Sequence, residues 1–279
     1  MDFETLLVER RGKREGIVWV TLNRPKKLNA LSMQTFGELE ALFREVRKDR
    51  SARCLVITGA GRGFCAGADF SGSASAQQER TTEKPPAEAP PAIDLERSRL
   101  NFRVESEAYI AFRRLEIPTI ACINGVCVGA GFDLVAHCDM AVGSTAARFQ
   151  VAYVKRGLFA DLGGFWSLPR IIGWRKAMEM MTTGRFMSAE EAHEAGLTNY
   201  LVEPEDLEDK TMELALAVEA GPPVAQKLGK TLAIRTAHLD FETALELSGI
   251  ALSVIEPSQD RVEGVRAFME KREPDFQGR

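Results

Sequence analysis

Residues 117–139 read IPTIACINGVCVGAGFDLVAHCD, and this stretch decides how the surrounding chain folds. The apolar run Thr119 to Ile123 predicts a buried strand that ends at Asn124-Gly125. The small residues Gly129-Ala130-Gly131 then form a turn, which opens a helical segment carrying Asp133. The first N–H groups of a helix have no partner within it, and the helix dipole favours negative charge there.

A second glycine-rich turn lies upstream of this stretch. Cys54 to Thr58 predicts another strand, and residues 59–69 after it read GAGRGFCAGAD. Two such turns, each able to aim a backbone N–H at one point, are what an oxyanion hole requires. Either turn alone is a weak signal, because patterns of the type G-x-G are common. The functional hypothesis therefore depends on the two turns together.

Composition argues against several classes of protein. The 279 residues carry a formal net charge of −4 and a pI of about 5.6, which argues against a nucleic-acid surface. No apolar run approaches the roughly 18 residues of a membrane span, and the N-terminal MDFETLLVERR is not typical of a signal or transit sequence. The arginines near 97–114 alternate with acidic residues, which predicts a solvated amphipathic helix; these are Glu96, Glu105, Glu107 and Glu116.

The cysteines and histidines predict neither disulfides nor a metal site. Three of the five cysteines lie in apolar, strand-like runs, which suits reduced thiols in a cytoplasm-like compartment. We therefore expect a cytoplasmic protein, in which Cys65 and Cys138 are packing residues. The histidines, His137, His193 and His238, are scattered, and no Cys/His cluster has metal-ligand spacing.

The pattern of predicted elements changes near residue 200. Residues 5–22 predict two strands around the polar turn Arg11 to Gly16, and a helix is predicted at about Met33 to Lys48. Residues 71–94 are poor in apolar residues and rich in Ser, Ala, Glu and Pro, which predicts a mobile surface insertion. Helical periodicity resumes at about 95–115.

From Leu207 onward the sequence is almost wholly helical in pattern. The predicted helices cover 207–220, 223–236, 241–255 and 260–272. The change from mixed to all-helical patterning predicts an α/β core over residues 1–200 and a helical C-terminal region over residues 201–279.

Six motifs in this order resemble the crotonase superfamily, the enoyl-CoA hydratase/isomerase family, over nearly the whole chain. They are NRPKKLNAL at 23–31, FCAGAD at 64–69, the 117–139 stretch, GGFWSLPRIIG at 163–173, SAEEAHEAGL at 188–197 and FMEKREPDF at 268–276. The resemblance implies a spiral of ββα units with a C-terminal helical region that packs as a homotrimer or a homohexamer.

The resemblance also implies an acyl-CoA substrate, whose coenzyme A is part of the substrate, and no further cofactor. The thioester oxygen would lie between two backbone N–H groups, those of Ala68 and Ala130. Substrate contacts are expected in the opening motif, the first turn, the acyl pocket and the C-terminal tail. The matching residues are Lys26, Lys27, Leu28, Ala66, Gly67, Asp69, Phe70, Phe159, Trp166, Phe268 and Lys271.

The acid–base positions differ from those of the hydratases that this family includes. Hydratases carry one glutamate after the second turn and another about twenty residues later, where this chain has Asp133 and Tyr153. A free tyrosine has a pKa of about 10 and is a poor general base near neutral pH. Tyr153 can orient a water or donate a hydrogen bond. Asp133 is either a functional acid or a carboxylate that complements the helix dipole.

A third candidate, Asp161, follows in GLFADLGG at 157–164. Its position resembles that of the catalytic aspartate of the dienoyl-CoA isomerase branch, and that of the nucleophile of the aroyl-CoA dehalogenase branch. An aspartate at this place is also an ordinary helix cap. If Asp133 and Asp161 both face the acyl pocket, its apolar walls should raise the pKa of at least one.

The sequence therefore predicts an enzyme of acyl-CoA metabolism, for example of fatty acid β-oxidation, with isomerisation of a double bond favoured over hydration. Two alternatives remain at this point. One is hydrolysis or dehalogenation of an acyl-CoA with Asp161 as the nucleophile, and the other is a non-catalytic acyl-CoA-binding protein.

Overall fold

The computed structural model describes residues 2–72 and 95–279, and its larger sheet begins with a hairpin. β1 (Leu6–Arg11) and β2 (Ile17–Leu22) pair antiparallel, with Leu6 opposite Leu22. Most of β1 is exposed, as expected of an edge strand, whereas β2 is buried on both faces. Both strands lie where the sequence predicted them.

The other strands alternate between two sheets. The six-stranded sheet has the order β1-β2-β3-β5-β7-β10 and is parallel from β2 onward. The second sheet has the order β4-β6-β8-β9. The strands are β3 (Cys54–Gly59), β4 (Gly63–Cys65), β5 (Thr119–Ile123), β6 (Val126–Val128), β7 (Met140–Ser144), β8 (Arg148–Gln150), β9 (Phe186–Ser188) and β10 (Tyr200–Val202).

Each turn of the chain thus supplies one strand to each sheet before a helix returns. The pairs β3/β4, β5/β6 and β7/β8 repeat this pattern, which is the expected spiral of ββα units. The helices are α1 (Met33–Lys48), α2 (Leu95–Arg113), α3 (Ala130–Ala136), α4 (Gly164–Ile171), α5 (Trp174–Thr183), α6 (Ala189–Glu194), α7 (Leu207–Ala220), α8 (Pro223–Thr236), α9 (Phe241–Ile255) and α10 (Gln259–Glu270). The α/β fold class is confirmed.

Helix α1 shows how local sequence sets up the layer beneath the site. Ser32 caps its N-terminus, accepting a hydrogen bond from the Thr35 N–H at 3.2 Å. Apolar residues spaced three and four apart bury one face against the sheet and α2. The rings of Phe43 and Phe112 lie 4.8 Å apart between the two helices. This contact holds α2 against α1. Another face of α2 borders the cavity described below.

Two apolar cores lie on opposite faces of the six-stranded sheet. The larger core joins alternate residues of β2, β3 and β5 to α1, α2 and α3. The smaller core packs the other faces of these strands, including Trp19 and Ile120, against Leu207 and Ala215 of α7. The first of the C-terminal helices is therefore attached to the back of the sheet.

Two predictions about organisation remain untested. The division into a core over 1–200 and a helical region over 201–279 is a statement about folding units, and it stays a prediction. The mobile insertion predicted at 71–94 lies, apart from residues 71 and 72, outside the described residues.

Among the helices of the described ranges, none combines the length and apolar character needed to cross a membrane. These same ranges contain no group of three or more His, Cys, Asp or Glu side chains placed to hold a metal ion.

Candidate active site

The two glycine-rich turns lie against each other. Gly67 and Gly129 have positive φ angles of 96° and 52°, which residues with a Cβ rarely adopt. A Cβ on Gly67 would lie 3.0 Å from the Val128 carbonyl oxygen and 3.6 Å from the Ala130 nitrogen. Glycine at position 67 therefore permits the close approach of the two turns.

Ala68 and Ala130 directly follow these glycines, and their amides lie outside the backbone hydrogen bonds of the turns. Ala68 bridges to Leu31, but the bonds run from Leu31 N to Gly67 O and from Asp69 N to Leu31 O, each 2.8 Å long. Ala130 is the first residue of α3, where an N–H has no acceptor within the helix. Two such amides in adjoining turns can together stabilise one developing oxyanion.

Asp69 anchors the first turn. Its carboxylate accepts hydrogen bonds from Arg24 at 2.7 Å and from the Ser71 N–H at 3.0 Å. Burial alone would raise the pKa of Asp69, but the bonds from Ser71 and Arg24 lower it to about 2. At neutral pH Asp69 is therefore a fixed anion paired with Arg24, and its contact with the substrate stays a prediction.

The opening motif lies beside the same turn. The Leu28 carbonyl accepts the Ala66 N–H at 2.9 Å. Lys26 and Lys27 are exposed on a short 3-10 helix, Pro25–Lys27. Phe70 is partly exposed, with the Arg156 guanidinium 5.6 Å from its ring centre. The structure therefore brings these predicted substrate-contact residues together around Ala68.

Asp133 and Tyr153 form a closed pair. The Tyr153 hydroxyl donates to Asp133 Oδ2 at 2.6 Å, and the Asp133 side chain is fully buried. The other oxygen, Oδ1, has no hydrogen-bond partner among the described residues. A Cβ at Gly164 would collide with Oδ1, so the first residue of α4 must be glycine.

Burial raises the pKa of Asp133 to about 7, against the lowering effect of the Tyr153 hydrogen bond. The negative charge of Asp161 raises this pKa further, while the nearby Leu162 and Gly164 amides lower it. Burial and Asp133 together hold the pKa of Tyr153 well above its usual range. At neutral pH Tyr153 is therefore a donor to Asp133 and not a base.

Asp161 lies in a different setting, because it lines an open cavity. The cavity has a volume of about 400 Å³ between α2 and the start of α4. It is lined by Ser106, Tyr109, Ile110, Arg113, Arg114, His137, Asp161, Leu162, Gly163 and Phe165. Burial raises the pKa of Asp161, although the group is only partly enclosed. The side chain is accessible to a ligand in this cavity.

The alternative interpretation of Asp161 as a helix cap is wrong. The N-cap of α4 is Gly163, which has a positive φ of 101°, and no side chain caps this helix. Asp161 lies in the turn two residues earlier. Its carboxylate interacts with the Asp161 and Leu162 amides of this turn and does not cap the helix.

The prediction that α2 is a solvated helix is wrong at Glu105. Its side chain is partly buried, and burial together with the charge of Asp161 raises its pKa to about 7. It lies one helical turn before Tyr109, which lines the cavity. The sequence did not indicate this role, because the spacing of charged residues along α2 does not show which turn of the helix contacts the site.

His137 is a site residue that the sequence interpretation missed. Its Nε2 donates to the Leu162 carbonyl at 2.9 Å, and its Nδ1 accepts the Ser167 hydroxyl at 3.0 Å. Burial lowers the pKa of His137 to about 4, so the ring is neutral in solution near pH 7. A Cβ at Gly163 would overlap the ring. His137 therefore fixes the turn that carries Asp161.

Tyr109 connects this histidine with the second glycine-rich turn. Its ring packs edge-on against His137 with centroids 5.7 Å apart, and its hydroxyl donates to the Ala130 carbonyl. The peptide groups of Ala130 and Leu162 are thereby held by one buried network. The signal in the sequence was the pairing of His137 with the GGFWS motif at 163–167, but only the fold brings them together.

The remaining predicted residues lie at the periphery of the site or away from it. Phe159 is largely exposed and packs against Phe165, with ring centroids 6.4 Å apart. Trp166 contacts the guanidinium groups of Arg113 and Arg170, which lie 5.1 and 4.1 Å from its ring centre. Phe268 and Lys271 belong to the α10 region, and Phe268 lines a separate cavity between α8 and α10.

The comparisons with known proteins agree with this architecture. A family model described as enoyl-CoA hydratase/isomerase matches residues 17–244. The 1,2-epoxyphenylacetyl-CoA isomerase of Escherichia coli (strain K12) is 36% identical over 266 residues, or 95% of this chain and 96% of that protein. The (E)-benzylidenesuccinyl-CoA hydratase of Thauera aromatica is 33% identical over 263 residues, or 94% and 96% of the two chains.

Solved structures give the same result. The crystal structure of an enoyl-CoA hydratase from Mycobacterium smegmatis superposes with a TM-score of 0.83 at 34% identity, covering 98% of each chain. The family model covers most of the chain, and the similarity to both relatives extends over nearly their full length. The chain therefore belongs to the enoyl-CoA hydratase/isomerase family and is an acyl-CoA enzyme of that type.

Proposed function

We propose that this enzyme moves a double bond along the acyl chain of an enoyl-CoA, with Asp161 as the group that transfers the proton. The observation that carries the proposal is the difference in access between the two aspartates. Asp161 lines the cavity, whereas Asp133 is fully buried and bonded to Tyr153. One accessible carboxylate is sufficient for a proton shift, because the same group removes and returns the proton.

In the proposed reaction, the thioester carbonyl oxygen of a 3-enoyl-CoA accepts hydrogen bonds from the N–H groups of Ala68 and Ala130. The Asp161 carboxylate removes a proton from the carbon next to the thioester carbonyl, and a dienolate forms. The two amides stabilise the negative charge on its oxygen, where one donor is typically worth about 3 kcal/mol. Asp161 then returns the proton to the γ-carbon, which yields the 2-enoyl-CoA.

The exposed cationic loop is proposed to hold the coenzyme A moiety. Lys26 and Lys27 lie beside the first turn, and a phosphate-bearing ligand suits their exposed ammonium groups. Phe268 and Lys271 are proposed to contact the nucleotide of a neighbouring subunit. No cofactor other than the coenzyme A of the substrate is included in the proposal.

A trimeric or hexameric assembly is also proposed. Large apolar side chains are exposed on the last two helices, including Phe241 at 80% and Phe268 at 82% exposure. Patches of this kind mark subunit interfaces, and oligomers close by point symmetry. A cytoplasmic location, as predicted from the reduced cysteines, is part of the same proposal.

Hydration is the second candidate, and one observation favours it. Burial and the charge of Asp161 raise the pKa of Glu105, so two carboxyl groups with raised pKa values lie within electrostatic reach of each other. One could activate water while the other delivers a proton. The names of the two relatives include both an isomerase and a hydratase.

The test is a parallel assay of crotonyl-CoA, 3-hexenoyl-CoA and a 3,5-dienoyl-CoA, with products identified by mass spectrometry. We expect the highest kcat/KM for a substrate whose product has the same mass as the substrate. A gain of 18 mass units, which is the mass of one water, would identify hydration instead. Release of free coenzyme A would support a hydrolase with Asp161 as the nucleophile, and binding without turnover would support a non-catalytic binder.

A further inference from the structure

The cavity beside Asp161 has opposite charges at its two ends. Asp161, whose charge acts on the partly buried Glu105, lines one part of the wall, and Arg113 and Arg114 line another. Glu105 and Arg113 are eight residues apart on α2, or about 12 Å along the helix axis. Between them the wall is formed by Tyr109, Ile110 and, from α4, Phe165.

Arg113 is a partly buried cation whose charge is not matched by a bonded carboxylate in the described parts of the chain. Its aromatic neighbour is Trp166, whose ring centre lies 5.1 Å from the guanidinium carbon. Burial lowers the pKa of Arg113, which is the sign of incomplete solvation, and Asp139 acts on it only through its charge. A partly desolvated guanidinium in an apolar wall is suited to receive an anion.

Asp139 does not neutralise Arg113, because its carboxylate is already engaged. Asp139 Oδ2 accepts Lys230 Nζ at 2.6 Å and both the N–H and the hydroxyl of Thr119. Arg113 and Lys230 also repel each other, since the charge of Arg113 lowers the pKa of Lys230. His137 is neutral near pH 7. Because Arg114 lines the same wall, this end of the cavity has an excess of positive charge.

We propose that Arg113 binds a carboxylate at the far end of the acyl chain, so that the preferred substrates are monothioesters of dicarboxylic acids. The inference rests on the proposed function, because it assumes that the reacting carbons lie at Asp161. The charge arrangement then fixes the orientation of the chain. The carboxylate is repelled from Asp161 and Glu105 and attracted by Arg113, which places the neutral part of the acyl group between them.

The cavity wall distinguishes Arg113 from the other arginine that packs on Trp166. The Trp166 ring is also covered by Arg170, whose guanidinium is 4.1 Å from the ring centre and does not line the cavity. The two arginines thus share one aromatic partner, and only Arg113 faces the space where an acyl chain would lie. Arg170 is therefore a matched control for the loss of a cation at Trp166.

The experiment is isothermal titration calorimetry with unreactive saturated thioesters. The ligands are CoA thioesters of linear monocarboxylic acids with four, six and eight carbons, and the CoA monothioesters of the dicarboxylic acids of equal length. We expect wild type to bind one dicarboxylic thioester at least about tenfold more tightly than its neutral counterpart. Arg113→Met should abolish this preference and leave the affinity for neutral thioesters unchanged, whereas Arg170→Met should retain it.

Two outcomes would overturn the inference. One is the absence of any preference at all three lengths in wild type, and the other is a preference that survives Arg113→Met. The proposed function is tested separately by turnover of 3-hexenoyl-CoA, which has a neutral chain. If 3-hexenoyl-CoA is turned over but dicarboxylic thioesters bind no more tightly than neutral ones, only the proposed Arg113 subsite is wrong. If no acyl-CoA binds, both the subsite and the proposed function are wrong.

Discussion

The two aspartates of the site differ in access far more than in chemistry. Asp133 is fully buried, bonded to Tyr153 and crowded by Gly164, while Asp161 lies partly exposed on the wall of a cavity of about 400 Å³. Both have raised pKa values. A raised pKa therefore does not distinguish one aspartate from the other, and only access to the cavity separates them.

In our account, this motif position keeps a carboxylate while the role of that carboxylate changes. Asp133 occupies the first hydratase acid position, but the group at the second position, Tyr153, blocks one of its oxygens. The closed pair then contributes charge and rigidity beneath the second glycine-rich turn. The reacting carboxylate in our account is the one that the chain adds twenty-eight residues later, at Asp161.

The largest effect is expected for Asp161→Asn. The amide has the same size but cannot accept the proton, so kcat should fall by about 10² or more with little change in acyl-CoA affinity. Because Gly163 caps α4, the melting temperature should stay near that of wild type. Steady-state kinetics and thermal melts check both parts, and a fully active variant would return Asp133 to the central role.

The next effect is expected for His137→Phe, which retains the ring but removes both of its hydrogen bonds. The Leu162 carbonyl and the Ser167 hydroxyl lose their partner, which should cost about 1–3 kcal/mol in stability. Because the turn carrying Asp161 is loosened, kcat should fall about tenfold while KM changes less. His193→Phe is the control, because His193 bonds Thr198 and does not line the cavity. An equal loss of kcat in both variants would contradict the positioning role.

A smaller effect is expected for Tyr153→Phe. The substitution leaves Asp133 Oδ2 without its donor, so the pKa of Asp133 should rise further. Since the phenol transfers no proton in our account, kcat should fall only a few-fold. Steady-state kinetics at several pH values measures this. A loss as large as that of Asp161→Asn would mean that Tyr153 takes part in the chemistry.

The smallest catalytic effect is expected for Asp133→Asn, which should change kcat no more than Tyr153→Phe does but alter the pH dependence of stability. The pKa of Asp133 is about 7 in the folded protein, above its ordinary 3.8. The folded state therefore holds a proton that the unfolded state has lost, and stability falls as pH rises from about 4 to about 7. Asparagine removes this fall, by up to about 1.4 kcal/mol per pH unit. Chemical denaturation at pH 5 and pH 8 measures it, and parallel pH profiles in the two proteins would contradict the buried, titrating carboxyl.

Most of the fold could be predicted from the sequence, because local signals set it. Helix Met33–Lys48 has a capping serine and a regular apolar face, and the strand at Thr119–Ile123 is an apolar run closed by Asn-Gly. The four C-terminal helices also lie within two residues of their predicted bounds. The two glycine-rich turns could be found in the same way, since positive φ angles leave a trace in the residue type.

The accessible side of the site could not be predicted from the sequence. Glu105 and Arg113 belong to a helix whose alternating charges are typical of a solvated surface, and His137 looked like an isolated polar residue. Their roles depend on where α2 and α3 pack against the turn at 161–163, which is a long-range contact. The family resemblance could place Asp133, Tyr153 and Asp161 at one site, but it could not show which carboxylate reaches the cavity.

The most direct test of this account measures proton exchange on the substrate itself. A 3-enoyl-CoA is incubated in deuterium oxide with wild type, Asp133→Asn or Asp161→Asn, and deuterium uptake at the carbon next to the thioester is followed by NMR. We predict uptake within about tenfold of the wild-type rate for Asp133→Asn, and uptake about 10² or more slower for Asp161→Asn. Uptake at the wild-type rate by Asp161→Asn, with loss of uptake in Asp133→Asn, would contradict the account.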